Sequence, residues 1–308
     1  MKLVAPWRKK QGKPGRIGIG MGSDYVSLVY MDQPNRVSLC QFVVGDDAEL
    51  DKVLKAFVDD NGLKGTNCSL VLSPSEYQVL LVEAPKVEPQ EMASALRWRI
   101  KDQLDFPHEQ AAVDYFPLPE DAYRGHQKMA YVAVTQKEQL DADARRIEST
   151  GLNLDSIDIM ELAINNIIRQ IPVEAGGSAT LSLGHEHGFI NMSVDGAIYL
   201  SRAIDTGWDA LLYDGLEGLT KGAENPALSK LLLEIQRSLD YYESQLGKGV
   251  ITVLYLSPAG EEGELLAHFL RENLVASVDL INTENIFSFD EAIGIEDRRR
   301  CFAAVGAV

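Results

Sequence analysis

The 308-residue sequence lacks several features that define common protein classes. No run approaches the roughly 20 apolar residues of a membrane-spanning helix. The basic start is not followed by the apolar core of a secretory signal. There are only three cysteines, Cys40, Cys68 and Cys301, and they are far apart. Their number and spacing disfavour a disulfide framework or a zinc site and predict buried thiols in a reducing compartment.

Basic residues are also scarce. Lys and Arg number 29 against 46 Asp and Glu, which gives a net charge of −17. This balance argues against nucleic-acid binding. The exception is the start of the chain, because residues 1–16 contain six basic groups and no acid. We interpret residues 1–15 as a basic flexible tail, either solvated or in contact with an anionic membrane surface or an acidic partner.

Motifs for catalysis and metal binding are missing as well. The sequence has no G-x-S-x-G motif and no cysteine near a histidine, so we predict no catalytic residues. His185 and His187 flank Glu186 and would share one face of a strand. No third ligand accompanies them, and we favour a turn with incidental histidines over a metal site.

The chain does contain a strand–glycine–strand pattern that occurs twice, near residues 17–31 and 180–203. The first copy opens an α/β unit whose helix is predicted over Asp47–Asp60. Between the copies, the order helix, strand, strand, helix predicts a small α+β insert. The predicted division is the tail (1–15), a first lobe (16–84 plus 153–172), the insert (85–152), a second lobe (178–290) and a last helix packing on the first lobe (291–308).

These segments resemble a known superfamily. IGIGMGSDYVSLVYM is similar to the first phosphate loop of actin, sugar kinases and Hsp70, SLGHEHGFINMSVDGAIYLSRAIDTG is similar to the second, and LYLSPAG stands where the adenosine-binding turn falls. ALRWRIKDQLDFPHEQAAVDYFPLP resembles the insert of PilM, the actin-like cytoplasmic protein of type IV pilus systems. The divergent, acidic character resembles the MshI group of MSHA-type pili, with the cytoplasmic domain of type II secretion as the related alternative.

The resemblance implies an α/β, actin-like (ribonuclease H-like) duplicated two-lobed fold. The small α+β insert would occupy the position of the 1C subdomain in PilM and FtsA. The nucleotide contacts implied by the resemblance are Gly20, Gly22, Ser23, Ser182, Gly184 and Gly260.

Two of these positions depart from the superfamily pattern. Carboxylates are expected where Gly20 and Ser182 stand, and the first helps to hold the hydrated Mg²⁺ that phosphoryl transfer requires. Pro258 and Ala259 replace glycines that would let the third turn close on adenosine. We therefore predict a degenerate site, a pseudo-ATPase. Two interpretations stay open: ATP binds without turnover, or the three turns merely close hairpins.

The insert is the stronger functional candidate. Arg97, Trp98 and Lys101 lie on a predicted helix before Phe106 and Tyr115, and Trp and Arg dominate binding hot spots. The resemblance implies a groove between first lobe and insert that receives the cytoplasmic tail of a PilN-like inner-membrane protein. The alternative is that half of these side chains simply pack the insert.

On this hypothesis the chain is a cytoplasmic scaffold at the inner face of the inner membrane. It would contact other pilus assembly proteins and associate peripherally with the membrane through its partner or its basic tail. The same fold leaves two other functions open, an active ATPase or small-molecule kinase and a filament-forming actin homologue.

Overall fold

The computed structural model describes residues 12–123, 128–172 and 177–308. Residues 1–11, most of the predicted basic tail, lie outside the described residues. The described chain forms two compact units. The first contains residues 12–118, 128–164 and 287–308, and the second contains residues 119–123, 165–172 and 177–286.

The strands, in chain order, are β1 Arg16–Met21, β2 Tyr25–Gln33, β3 Arg36–Val44, β4 Asn67–Leu72, β5 Gln78–Glu83, β6 Ala111–Pro117, β7 Met129–Gln136, β8 Asn153–Ile159, β9 Gly177–Leu183, β10 Gly188–Val194, β11 Ala197–Ile204, β12 Ile251–Leu256, β13 Ser277–Leu280 and β14 Ser288–Phe289. The helices are α1 Asp47–Asp60, α2 Pro89–Arg99, α3 Lys137–Ser149, α4 Met160–Ile168, α5 Trp208–Leu211, α6 Leu216–Thr220, α7 Pro226–Tyr241, α8 Glu261–Asn273, α9 Ile295–Arg300 and α10 Phe302–Gly306. Within the described ranges, no helix has both the length and the apolar character needed to cross a membrane.

Local sequence explains helix α1, which begins and ends where the apolar periodicity predicts. The side chain of Asp46 caps its start by accepting a 2.9 Å hydrogen bond from the Glu49 N–H. Apolar residues three and four positions apart form the face that packs on the sheet. The buried residues of this face are Leu50, Leu54, Phe57 and Val58.

The first unit contains a six-stranded mixed sheet with the order β14-β3-β2-β1-β4-β8. Strand β1 pairs antiparallel with β2 and parallel with β4, and β8 forms the edge parallel to β4. Side chains alternate across β1. Ile17 and Ile19 join a core cluster with residues of α1 and α3. The opposite face contains Gly18 and Gly20 and is packed by α10.

A three-stranded antiparallel sheet, with the order β5-β7-β6, completes the first unit. Helix α2 packs on it through a cluster that includes Leu96 and Ile100. The helix, two strands and helix predicted for residues 85–152 are present as α2, β6, β7 and α3. Strand β5 pairs with β7 although it precedes residue 85. The sheet of the predicted insert therefore begins before the predicted boundary, and the domain limits themselves stay predictions.

The second unit repeats the topology of the first sheet. Its five strands have the order β11-β10-β9-β12-β13. Strand β9 pairs antiparallel with β10 and parallel with β12, as β1 pairs with β2 and β4. Asp195 and Gly196 close the β10–β11 hairpin with φ of 50° and 76°, the positive values that a tight hairpin turn needs. The duplication predicted from the two glycine hairpins is thus a duplication of sheet topology.

The end of the chain forms two short helices, α9 and α10, where one was predicted, and Cys301 lies between them. The Cys301 thiol donates to the Gln41 carbonyl and the Cys40 thiol donates to the Asp297 carbonyl, both at 3.4 Å. These bonds join the helices to β3. Cys68 and Cys301 are buried as predicted, whereas Cys40 is only partly buried. Burial raises the pKa of the Cys68 thiol to about 12.

Candidate functional site

Close packing surrounds the glycines of β1. A side chain at Gly18 would overlap the carbonyl oxygen of Ala304 in α10. A side chain at Gly20 would overlap the hydroxyl of Ser27, which donates a 3.3 Å hydrogen bond to the Gly20 carbonyl. Gly18 is therefore required by the backbone of α10, independently of any phosphate, whereas Gly20 is limited only by a side chain. The position where the superfamily has a carboxylate has no room for one unless Ser27 moves.

The turn after β1 lies in an acidic environment. Its Gly22 N–H donates a 3.1 Å hydrogen bond to the Tyr25 carbonyl, so this amide is used within the turn. Burial raises the pKa of Tyr25, and the charges of Glu76 and Asp24 raise it further. Burial also raises the pKa of Glu76, to about 7. A phosphate placed against Gly22 and Ser23 would meet negative charge, which opposes anion binding.

The second glycine turn, after β9, is also closed by backbone hydrogen bonds. The Gly184 N–H donates to the His187 carbonyl at 2.8 Å, and the Gly184 carbonyl accepts from the Trp208 N–H at 2.9 Å. Ser182 is buried within β9 and supplies a hydroxyl but no charge. These polar groups of Gly184 are satisfied inside the second unit.

The two histidines of this turn do not form a metal site with their neighbours. The His185 Nδ1 lies 3.1 Å from an oxygen of Asp209, and both side chains are exposed. In the described parts of the chain, no three His, Cys, Asp or Glu side chains come together as a metal site would require.

The third turn borders a cavity of about 30 Å³ in the second unit, lined among others by Ser257, Pro258 and Ala259. That volume suits about one water molecule, whereas cofactor pockets measure roughly 300–1,000 Å³. The N–H of Gly260, which was predicted to contact nucleotide, donates to the side chain of Glu262 at 2.9 Å.

Four of the five predicted partner-binding residues lie on α2 or shortly after it. Trp98 is 59% exposed, and its ring lies 4.7 Å from that of His108. The Lys101 ammonium lies 5.3 Å from the centre of the Trp98 ring. Arg97 is partly buried, and Phe106 packs against the apolar cluster under α2. None of the four lines the cavity of the first unit that adjoins β6.

That cavity is a groove of about 110 Å³ between two strands that each form the edge of a sheet, β6 and β8. The fifth predicted residue, Tyr115, belongs to its lining but also packs against the apolar cluster under α2, and Phe116 lines the groove as well. Most of the lining is apolar. Its lining also includes Leu72, Tyr77, Ile157, Asp158 and Leu162.

Tyr77, which lines this groove, forms a buried polar pair with Glu161. The Tyr77 hydroxyl donates a 2.5 Å hydrogen bond to the Glu161 carboxylate and accepts one of 3.2 Å from the Met160 N–H. Burial raises the pKa of Glu161, and burial together with the Glu161 charge raises that of Tyr77 well above its usual range. These bonds hold the start of α4 against the segment between β4 and β5.

Two aspartates line the groove, one on each edge strand. The Asp114 carboxylate accepts a 2.9 Å hydrogen bond from the Tyr115 N–H on β6, and the Asp158 carboxylate accepts one of 2.8 Å from the Ile159 N–H on β8. Burial raises the pKa of Asp158, and the charge of Asp114 raises it further.

Sequence reasoning missed the wall formed by β8 and α4. Ile157 and Leu162 belong to the second segment of the predicted first lobe (153–172), and their apolar character gives no sign of a binding role. Only the pairing of β8 with β4 brings them opposite β6. No local signal in the sequence identifies this wall.

Several solved structures share this fold. The PilM–PilN type IV pilus biogenesis complex is similar, with a TM-score of 0.74 at 18% identity over 96% of this chain and 98% of that chain. The cytoplasmic domain of EpsL, an inner-membrane component of the type II secretion system of Vibrio cholerae, has a TM-score of 0.51 at 11% identity over 94% of each chain. A Bacteroides thetaiotaomicron protein with an actin-like ATPase fold has a TM-score of 0.54 at 12% identity, covering 90% of this chain and 93% of that chain.

No protein-family model and no curated protein matches the sequence. The structural similarities, with the duplicated sheet topology, show that the chain has the actin-like fold, as predicted.

Proposed function

We propose that this chain is a scaffold of a type IV pilus assembly complex that binds the cytoplasmic tail of a PilN-like inner-membrane protein. The observation that supports this most directly is the groove between β6 and β8. Edge strands leave one row of backbone N–H and C=O groups unpaired, and extended peptides bind to such edges while apolar pockets select their side chains.

The choice of partner is supported by the structural comparison and not by the groove itself. The similar structure with the TM-score of 0.74 is a complex of PilM with PilN. Phe116 and Leu162, on opposite sides of the groove, are apolar residues of its lining that suit a tail of this kind. Arg97, Trp98, Lys101 and Phe106 stay predicted contacts, on the neighbouring surface of α2, for the tail or for other pilus assembly proteins.

We also propose the pilus system and the location in the cell. We infer an MSHA-type pilus system and an MshI-like role, in the cytoplasm at the inner face of the inner membrane. Attachment to the membrane would run through the partner or through the basic tail of residues 1–15.

We further propose that the nucleotide site is degenerate. The Ser27 hydroxyl occupies the space that a carboxylate side chain at position 20 would need. Ser182 supplies no charge, and the cavity at the third turn is about 30 Å³. These features disfavour the second function considered, an active ATPase or small-molecule kinase.

The decisive experiment is a titration of the complete chain with a fluorescent peptide of the PilN-like tail. We expect binding, and we expect Phe116→Ala and Leu162→Ala each to weaken it about tenfold, because central apolar anchors supply most interface energy. Leu233→Ala, an exposed leucine of the second unit, is the matched control and should bind as the wild type does. Absence of binding to the wild-type chain would overturn the proposal. Trp98→Ala, at an exposed position, tests whether the α2 surface takes part.

A further inference from the structure

Cys40 and Cys301 lie on the two sides of one contact, although the first belongs to β3 and the second to the end of the chain. The Cys40 thiol and the Cys301 N–H donate to the same acceptor, the Asp297 carbonyl oxygen, at 3.4 and 2.9 Å. In the opposite direction, the Cys301 thiol donates at 3.4 Å to the carbonyl of Gln41, the residue next to Cys40. These crossed hydrogen bonds place the two sulfur atoms side by side.

The pKa of Cys40 reflects the same contact. A side-chain hydrogen bond with Cys301 is the largest of the effects that raise this pKa above its usual range, and burial is the second. The charge of Asp297 raises it further, and that of Arg298 lowers it. The two thiols are therefore in direct contact, and both sulfurs of the resting pair carry their protons at neutral pH. Cys68 is separate from this pair, because it packs in the apolar core beside α1.

The contact joins α9 to a part of β3 that lies beyond its pairing with β14. Strand β14 pairs with β3 at Arg36 and Val37. Further along β3, the Phe42 N–H donates a 3.2 Å hydrogen bond to the Asp297 side chain. The thiol hydrogen bonds complete this attachment, and thiols are weak donors. A covalent bond between the sulfurs would therefore hold α9 on β3 much more strongly.

We propose that Cys40 and Cys301 form a reversible disulfide that holds the last two helices on β3, with a hydroperoxide as the oxidant. This inference goes beyond the proposed function and does not depend on the pilus partner. Cys40 is only partly buried whereas Cys301 is buried, so the oxidant reaches Cys40 first. A disulfide between positions so far apart in the sequence also restricts the unfolded chain, which stabilises the fold.

The reaction balances with hydrogen peroxide. The Cys40 sulfur, as its thiolate, attacks one peroxide oxygen, the O–O bond breaks, and the departing hydroxide takes up the proton that the thiol lost. Cys40 is then a sulfenic acid. The Cys301 sulfur attacks the Cys40 sulfur, the S–O bond breaks, and the departing hydroxide leaves as water with the Cys301 proton. Two thiols thus lose two electrons, and one peroxide becomes two waters. The raised pKa of Cys40 makes the first step slow.

The test is oxidation of the complete wild-type chain. The reduced protein is incubated for hours with hydrogen peroxide at pH 8, remaining thiols are blocked with N-ethylmaleimide in denaturant, and tryptic peptides are analysed by mass spectrometry. We expect two of the three thiols to be lost, and peptide 37–52 to be linked to peptide 301–308 until dithiothreitol is added. Thiols that persist at Cys40 and Cys301, or disulfides between molecules in place of this link, would overturn the proposal.

Three variants serve as comparisons. Cys40→Ala and Cys301→Ala should each abolish the loss of two thiols. Cys68→Ala, at another buried cysteine, is the matched control and should form the link as the wild type does. Without Cys40, the buried Cys301 should resist peroxide. Oxidation of Cys301 at the wild-type rate in Cys40→Ala would contradict the proposed order of attack.

Proteolysis measures whether the disulfide holds α9 in place. Trypsin cleaves after Arg298, Arg299 and Arg300 when this helix opens locally. We expect peroxide to slow this cleavage about tenfold in the wild type, because the bond opposes local opening. Dithiothreitol should restore the rate, and Cys301→Ala should show no change with peroxide. Equal cleavage rates before and after complete disulfide formation would refute the attachment of the helices.

Discussion

The carbonyl oxygen of Ala304 lies over Gly18, in the space that a side chain at this position would fill. The two residues belong to opposite ends of the chain, to α10 and to the first strand. The contact lets the last helix lie directly on the central strand of the six-stranded sheet. Gly18 therefore has a packing role in this structure, because a larger residue would displace α10.

We expect Gly18→Ala to lower the free energy of unfolding by about 1–3 kcal/mol, the usual cost of overpacking. The added methyl group would push α10 off the sheet. Denaturant-induced unfolding measures the effect. Gly294→Ala is the matched control, because its φ is −64° and the nearest atom to a Cβ is 3.9 Å away. Equal stability of the two variants would contradict the packing role of Gly18.

We expect no turnover of Mg-ATP by the purified chain. Phosphoryl transfer needs a metal held by carboxylates, and Gly20 and Ser182 stand at the two expected positions. Phosphate release should be the same for the wild type, Ser23→Ala and Ser182→Ala. Turnover by the wild type that is lost in either variant would show an active site. Thermal shifts with ATP and ADP measure separately whether nucleotide binds without turnover.

We expect Glu76→Gln to flatten the pH dependence of stability. Burial raises the pKa of Glu76 in the folded state from an ordinary 4.5 to about 7. Between these values the folded chain binds the proton more tightly than the unfolded chain does. The contribution of Glu76 to stability is therefore present below pH 4.5 and declines as pH rises through 7.

The Gln variant keeps an oxygen to accept the 3.0 Å hydrogen bond from the Ser73 N–H. Relative to the wild type, the variant should be more stable by about 1 kcal/mol at pH 8 and equally stable at pH 4. The expected gain is small because the carboxyl is only partly buried and solvent screens its charge. Urea unfolding at both pH values measures this difference. A constant difference between the two proteins across that range would show that Glu76 has an ordinary pKa.

We expect Tyr77→Phe to destabilise the first unit by about 1–3 kcal/mol, the cost of removing one partner from buried hydrogen bonds. The hydroxyl bonds to both Glu161 and the Met160 N–H, so its loss affects the start of α4. Urea unfolding measures the change. Tyr213→Phe, at a side chain that is 88% exposed, should stay within about 0.5 kcal/mol of the wild type. If the two variants were equally stable, the hydrogen bonds of Tyr77 to Glu161 and Met160 would contribute nothing to the stability of the fold.

Much of the architecture follows from local pattern. Helix α1 has its predicted bounds, and both glycine hairpins form where they were expected. These elements depend on neighbours in the chain, through apolar periodicity, capping and turn residues. The single helix predicted at the end of the chain is divided at Cys301, because its two parts pack on different strands, α9 on β3 and α10 on β1 and β2.

The sequence by itself determined the duplicated fold and the absence of a carboxylate at Gly20 and Ser182, since both depend on residue identity and order along the chain. Tertiary structure alone decided which residues form the groove and why Gly18 is a glycine. Leu72, Tyr115 and Leu162 are separated by more than 40 positions, and only the pairing of β4 with β8 and of β7 with β6 brings them together. A binding groove depends on which strand edges face each other, and periodicity along the chain does not encode that choice.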